Sequence, residues 1–485
     1  MAIWMYQVTV ISGRFEDLRN TFFLISDDPR VLGLLIAFCF GGLLEALAGF
    51  GAPVAIAAAM LVAVGFSPIR AALIALLANT VPVAFGAVGL PVIQAAAVGG
   101  FENVLSISPT TGRLTAMLCL VVPFLLLAVM DGKKGIKECW PFGLVVGVTF
   151  GVKWIVSATP LYTLTELVAA LVSVAVAIAF TRVWKPGGDS EVVSRIGRPV
   201  DPALETETAK TEAADTSNLT GNKIFMALVP YLMVIVVFGI AAIPAVKDFF
   251  VSLDGSGKTG WARFQWPGLS EMLSASGAPA SHRTFAFPWA STPGILLALV
   301  AILTALVYKV SMKDAFKELW VNVKKMKFAM LTIGAVVALA YVMGDSGQTL
   351  ALGTFIAGAG AIYPFLAPVL GWIGTYVTGS DTSANILFSG LQSNVGQEIG
   401  SASALGVDGM RQLLVGSNAA GGVVGKMISP QSLAIASSAI GLAGSESAIL
   451  RRIIAWSFVL LFLLCLLAGL MSTPVLSWLI PPMLG

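Results

Sequence analysis

Apolar stretches dominate this chain, with polar residues between them or at a few points inside them. The apolar runs are Val31 to Ala48, Ile69 to Val98, Leu114 to Met130, Leu167 to Phe180, Ile224 to Ile243, Pro293 to Val307, Phe328 to Met343 and Ile453 to Met471. A spanning helix needs about 20 apolar residues, so these runs, with half-spans included, predict roughly ten to twelve crossings or re-entrant pieces. The fold class expected is an all-α polytopic membrane protein.

Two of the apolar regions are interrupted in the same way. The first carries Gly41, Glu45, Gly49-Phe50-Gly51-Ala52-Pro53, Ala78-Asn79-Thr80, Gly86 and Pro91. The second carries Gly371, Thr375, Gly379-Ser380-Asp381-Thr382-Ser383, Ser417-Asn418-Ala419, Gly425 and Pro430. In both, the Asn is followed by Gly seven residues on and by Pro twelve residues on. Helix breakers recurring at matched places predict two repeats with broken helices, inverted relative to one another. In transporters, such breaks are where substrates and coupling ions bind.

Composition excludes a soluble globular domain. Hydrophobic residues make up 57% of the 485, charged residues 11%, and the mean hydropathy is +0.89. A soluble domain carries about 25% charge. The 50 glycines and 24 prolines suit close-packed, interrupted membrane helices. A net charge of +3 gives no sign of nucleic-acid binding. Cys39, Cys119, Cys139 and Cys465 lack C-x-x-C spacing and read as small buried side chains. With His282 the single histidine, a histidine metal site is not expected, and neither is any cofactor.

The chain divides at its polar segments. Residues 1–30 form a partial span and a charged turn, because Met1 to Val10 is too short to cross alone; either upstream helices are missing or this piece lies in the interface. Residues 31–110 hold the first repeat and 111–184 further membrane helices. The stretch 185–223 contains 12 of the 55 Asp, Glu, Lys and Arg residues and reads as a flexible loop. Helices then occupy 224–345 around an outer loop, 246–290, with Trp261, Trp266 and Trp289 as interface anchors. The second repeat covers 346–445 and a last span 446–485. Asp131 to Glu138, Lys185 to Lys223 and Ser311 to Lys327 read as loops with basic residues near helix ends, which makes their face cytoplasmic.

The interruptions also carry the chemistry. Asp381 is a carboxylate within apolar sequence and a candidate functional acid; alternatively it caps, with Ser383, a helix starting near Ala384. Lys426 has apolar neighbours and needs a partner, either Asp381 or a substrate carboxylate, unless it snorkels to the headgroups. Ser429 caps a helix beginning at Pro430. Glu45 is the most isolated acid, with no other charge between Arg30 and Arg70. It is a candidate proton carrier or the partner of an arginine such as Arg113. Asn79, Thr80 and Asn418 supply neutral donors and acceptors.

Four strings resemble the lactate permease family: Glu45 to Ile56, Asn79 to Pro91, Thr378 to Phe388 and Gly416 to Ala436. The resemblance implies symport of a proton with lactate, glycolate or a similar short 2-hydroxy monocarboxylate across the bacterial inner membrane. Asn79, Thr80, Ser380, Thr382, Ser383, Asn418, Lys426 and Ser429 are then the expected substrate contacts, and Glu45 and Asp381 the proton carriers. By analogy, the matched breaks favour a mobile substrate domain made from both broken-helix regions beside a helical scaffold, with a homodimer as the candidate assembly. Two departures stand out: family members usually have additional amino-terminal helices, and Pro288 stands where relatives can carry an acid. The competing function is a sodium-coupled carrier of di- or tricarboxylates, with sodium at half-helix ends. A membrane enzyme lacks any nucleophile–base constellation, and a channel suits repeated broken helices less well.

Overall fold

The computed structural model describes residues 2–47, 49, 51–187, 191–205, 220–241, 243–255, 261–269, 271–273, 283–287, 289–290 and 292–482. Phe50, His282, Pro288 and most of the acidic part of the 185–223 stretch lie outside the described residues.

The chain opens with α1 (Ala2–Ile11) and α2 (Arg14–Phe23). The segment expected to be a charged turn is therefore helical up to Phe23, with Arg14 and Asp17 paired one turn apart at 3.0 Å. The α1 helix buries Trp4, Met5 and Val8 in the protein. The first span joins α3 (Pro29–Leu34) through a π-helical turn, Leu35–Phe40, to α4 (Gly41–Leu47). It is followed by α5 (Ala52–Val64), α6 (Pro68–Ala78) and α7 (Gly86–Val98).

Next comes α8 (Ser108–Phe150), which leaves helical geometry only at Asp131 and Gly132. There it doubles back. A Cβ on Gly147 would meet the Cys119 carbonyl oxygen, and one on Gly143 would lie 3.1 Å from Leu127, so the two arms run antiparallel. The expected loop at Asp131 to Glu138 shrinks to this tight turn. Beyond it lie α9 (Lys153–Val156), α10 (Thr165–Val183), α11 (Val192–Ile196), α12 (Gly221–Ala241) and α13 (Pro244–Asp254). A two-stranded antiparallel ribbon, β1 (Arg263–Gln265) with β2 (Thr284–Ala286), stands in the segment expected to be an outer loop.

Two further helices are α14 (Pro293–Val307) and α15 (Met312–Asp345). The lysine-rich segment from Ser311 to Lys327 is thus not a loop. It has no proline or glycine to stop a helix, and it forms the first half of α15. Trp4 Nε1 donates to the Ala315 carbonyl at 2.7 Å, tying α1 to this helix. The second broken region is α16 (Gln348–Ala357), α17 (Tyr363–Thr378), α18 (Asp381–Gly400), α19 (Gly406–Lys426) and α20 (Pro430–Ala439), and α21 (Glu446–Met471) closes the fold.

Among the described residues, six helical stretches are long and apolar enough to cross a membrane. A seventh comes from Pro68–Ala78 with Val83–Val98, bent by 59°, and three more apolar helices are shorter. The protein is an all-α polytopic membrane protein, as expected.

Polar ties define two opposite faces. On one, fully buried Arg30 reaches Asp28 at 2.8 Å, Asp131 at 3.1 Å and Glu138 at 2.6 Å. Arg195 joins Asp131 at 2.8 Å, Arg70 donates to the Arg195 and Ile196 carbonyls, and Arg452 pairs with Asp201. On the other, Arg411 donates to the Gly99 carbonyl and Arg113 to the Leu479 carbonyl.

The hairpin α3–α4/α5 starts and ends on the first face. Gly33 lies against Phe66 and Met130. The hairpin α17/α18 starts and ends on the second, where Gly400 packs on Val407 of α19. The two hairpins therefore enter from opposite faces, and both tips end on α20. Each tip turns on a glycine of positive φ, Gly51 (86°) and Gly379 (71°). A Cβ there would run into Ile435 and Gln431 respectively, so only glycine satisfies both the backbone angle and the close approach.

Candidate functional site

Glu45 sits on α4, 2% exposed, just before the first tip. Its Oε1 accepts from Lys426 Nζ at 2.7 Å and its Oε2 from Asn79 Nδ2 at 2.9 Å. Lys426 is the last residue of α19, and Asn79 is the C-cap of α6. A buried pair of this kind is held by geometry, since the mutual attraction must offset two desolvation costs. Gly86 leaves room for it: a Cβ there would lie 3.0 Å from Glu45 Oε1. The ion pair thus joins two residues 381 positions apart, one from each broken region.

This pairing corrects two expectations. Lys426 neither snorkels nor bonds Asp381, because α19 ends beneath α4 with only 7% of the residue exposed. Arg113 is not the partner of Glu45; it is held by the Leu479 carbonyl and stacks on Trp154 at 5.4 Å.

A cavity of about 270 Å³ opens beside the pair. It is lined by Glu45, Gly51, Gly86, the run Thr378 to Ser383, Lys426, Gln431 and Ser432, with further apolar residues. Helix amino termini surround it. Gly51 is the N-cap of α5, and Ser380 is the N-cap of α18, its hydroxyl accepting from the Ser383 amide at 3.3 Å. Ser429 is the N-cap of α20, accepting from the Ser432 amide at 3.2 Å, with Pro430 at the first position. Unpaired amides and the positive end of the helix dipole make each such terminus favourable to an anion. The helix expected to start near Ala384 starts at Asp381 instead, because the Ser380 hydroxyl takes the capping role. Ser429 caps α20 as expected.

Asp381 is 3% exposed and lines the cavity, yet neither of its carboxylate oxygens has a hydrogen-bond partner among the described residues. It rests on α19 at Gly422, where a Cβ would collide with Oδ1. The Thr375 hydroxyl beside it is likewise buried and unpartnered. One acid in the cavity is therefore fixed by a cation and an amide, while the other makes no hydrogen bond of normal geometry among the described residues, with Lys426 and Asn385 nearby.

The structure brings Glu45, Ser380, Asp381, Thr382, Ser383 and Lys426 to the cavity and leaves four expected residues off it. Asn79 acts only through Glu45. The Thr80 hydroxyl donates to the Leu77 carbonyl at 2.7 Å, a bond within its own helix end. Ser429 touches the site through its cap. Asn418 lies in a buried amide chain, donating to Asn385 Oδ1 at 2.9 Å, while Tyr363 donates to Gln392 at 2.8 Å.

Nor does the Asn418 region break its helix, since α19 is continuous from Gly406 to Lys426. Its glycines serve packing: a Cβ at Gly421 would strike the Pro368 carbonyl and one at Gly425 the Trp372 carbonyl. Sequence reasoning missed Thr378, Gln431 and Ser432 as cavity residues. The last two follow directly from a helix start at Ser429-Pro430, whose first turn they form.

The start of α7 is unusual. Ala87 and Val88 have φ of 46° and 62°, and Gly89 of 75°, giving three consecutive left-handed residues beside the cavity. Left-handed geometry costs a non-glycine residue about 1–2 kcal/mol. Among the described residues no group of three or more His, Cys, Asp or Glu side chains could hold a metal ion.

The family model for L-lactate permease matches residues 1–475. An L-lactate permease of Bacillus subtilis is 38% identical over 499 residues, spanning 99% of this chain and 85% of the relative. Glycolate permease GlcA of Escherichia coli is 37% identical over 464 residues, 94% of this chain and 81% of the relative. The L-lactate permease of Escherichia coli is 34% identical over 492 residues, 99% of this chain and 84% of the relative. No solved structure matches the chain. On the match over nearly its whole length, the chain belongs to the L-lactate permease family.

Proposed function

We propose that the protein carries lactate or a related short 2-hydroxy monocarboxylate, glycolate included, together with one proton across the bacterial inner membrane. The relatives named for L-lactate and glycolate supply the substrate class. The observation that carries the mechanism is the meeting of three helix amino termini, Lys426 and an unpartnered acid in one cavity of about 270 Å³. A small carboxylate docks against the first turns of α18 and α20. The Ser380, Thr382 and Ser383 hydroxyls face its own hydroxyl.

Asp381 takes the proton. A bare carboxylate at this depth costs several kcal/mol, so a bound proton makes its position tolerable. The coupling follows from charge: an anion moving into an inside-negative cell opposes about 2.3 kcal/mol per 100 mV, whereas an anion with a proton moves without net charge. Glu45 keeps Lys426 in place and its charge balanced until substrate arrives. The face carrying Arg30, Arg70, Arg195 and Arg452 is cytoplasmic on this reading.

Radiolabelled L-lactate uptake into sodium-free proteoliposomes with an imposed inward proton gradient tests the proposal. Accumulation that collapses with a proton ionophore is expected. Uptake that needs sodium and carries current would instead support the sodium-coupled di- or tricarboxylate reading.

A further inference from the structure

A second buried ion pair lies outside the cavity. Lys153 on α9 and Glu166 in the first turn of α10 are both fully buried and bonded to each other. Lys153 Nζ also donates to the Val81 carbonyl at 2.9 Å and stands 5.6 Å from the Phe85 ring centre. Val81 and Phe85 belong to the break between α6 and α7, the same break whose first residue, Asn79, donates to Glu45.

The segment from Lys153 to Glu166 touches the break a second time, since a Cβ on Gly89 would lie 3.3 Å from Thr163. The break is thus gripped from behind by one buried pair and presented in front to another. Breaking an α-helix frees carbonyls that must find donors in the absence of water; Lys153 is the donor for Val81. The other Glu166 oxygen, Oε2, is buried without a hydrogen-bond partner among the described residues. A pair kept wholly from solvent is costly compared with apolar side chains of similar size, so its contribution lies in what it holds rather than in stability.

We infer that Lys153 and Glu166 are positioning residues for the transport site: they fix the Val81 carbonyl, set the course of the α6–α7 break, and so aim the Asn79 amide at Glu45. Neither residue touches the cavity. The inference rests on the proposed role of Glu45 in holding Lys426 at the site of proton-coupled transport. The charged groups facing Glu45 are Lys426 on α19, Asp381 on α18 across the cavity and the Lys153–Glu166 pair behind the break.

The test is the pH dependence of L-lactate uptake in proteoliposomes for wild type, Lys153→Met, Asn79→Leu and the double variant. If wild type shows no proton-driven uptake, it is the proposed function that fails. Given wild-type uptake, Lys153→Met is expected to lower the maximal rate at least about tenfold. It should also displace the pH of half-maximal uptake from the wild-type value, because the Glu45–Lys426 pair that Asn79 helps to hold shares the cavity with the proton-accepting Asp381.

Asn79→Leu should give the same shift, and the double variant no more than Asn79→Leu alone. Lys153→Arg, which keeps charge and donor, should recover the wild-type midpoint. Where Lys153→Met does not fold, Lys153→Met with Glu166→Leu replaces the pair by apolar side chains and is measured instead. Shifts that add, or a lower yield and melting temperature with an unmoved midpoint, would overturn the inference and leave the pair a purely structural one.

Discussion

Replacing Lys426 by methionine removes the cation of the central pair while keeping most of its volume. Glu45 then retains the Asn79 amide as its donor but loses the ammonium at 2.7 Å. Both partners are almost fully enclosed, with side-chain exposures of 9% and 3%, so hydration from the cavity replaces only part of the lost interaction. Removing one member of such a pair costs about 3–5 kcal/mol, roughly two to three and a half powers of ten. The cost must appear as lost stability or as a neutralised Glu45.

Two measurements separate these consequences. The melting temperature of the purified protein in detergent should fall for Lys426→Met and for Glu45→Gln alone, and largely recover in the double variant, where no charge is stranded. Gradient-driven lactate uptake should be lost in all three, because the double variant restores the packing and not the cation. Wild-type uptake by Lys426→Met would refute the reasoning. A double variant no more stable than either single would show that the pair is not energetically coupled.

Asp381→Asn keeps the shape of the cavity wall but removes its titratable group, so exchange of labelled for unlabelled lactate should persist while accumulation against a gradient disappears. Ala87→Gly relieves a left-handed alanine and should raise the melting temperature, the gain being about 1 kcal/mol or less after the extra backbone entropy of glycine; a fall would mean that the left-handed turn is not populated. Gly371→Ala drives a methyl group into the Asn418 carbonyl and should cost about 1–3 kcal/mol, read as a lower melting temperature with substrate affinity little changed in the folded fraction.

The parts of the fold that are written locally were readable. Gly49-Phe50-Gly51-Ala52-Pro53 and Gly379-Ser380 announce a helix break by their own chemistry, a glycine beside a proline start in one and beside a serine cap in the other, and the hairpin tips at Gly51 and Gly379 stand at these breaks. The Pro430 helix start was legible for the same reason. Asn418 misled because its glycine neighbours look like breakers, whereas their purpose is a long-range one, the close approach of α17 to α19. The Glu45–Lys426 bond could not be read at all: each residue showed only that it lacked a local partner. Lys153 and Glu166 are not legible as a pair, because each stands at a helix start outside the long apolar runs and only the fold brings the lysine under Val81. The segment from Ser311 to Lys327 shows the opposite error, in which lysines beside an apolar run suggest a loop although no proline or glycine there stops the helix.

Both hairpin tips rest on α20, Gly51 against Ile435 and Gly379 against Gln431, one helical turn apart. That short helix works as a shared bearing for two arms that arrive from opposite sides of the membrane. A tip can withdraw only by sliding off a surface whose position the other tip also helps to set. Displacing either tip therefore changes the surface on which the other rests, so a substitution in these ten residues is expected to disturb both hairpins together.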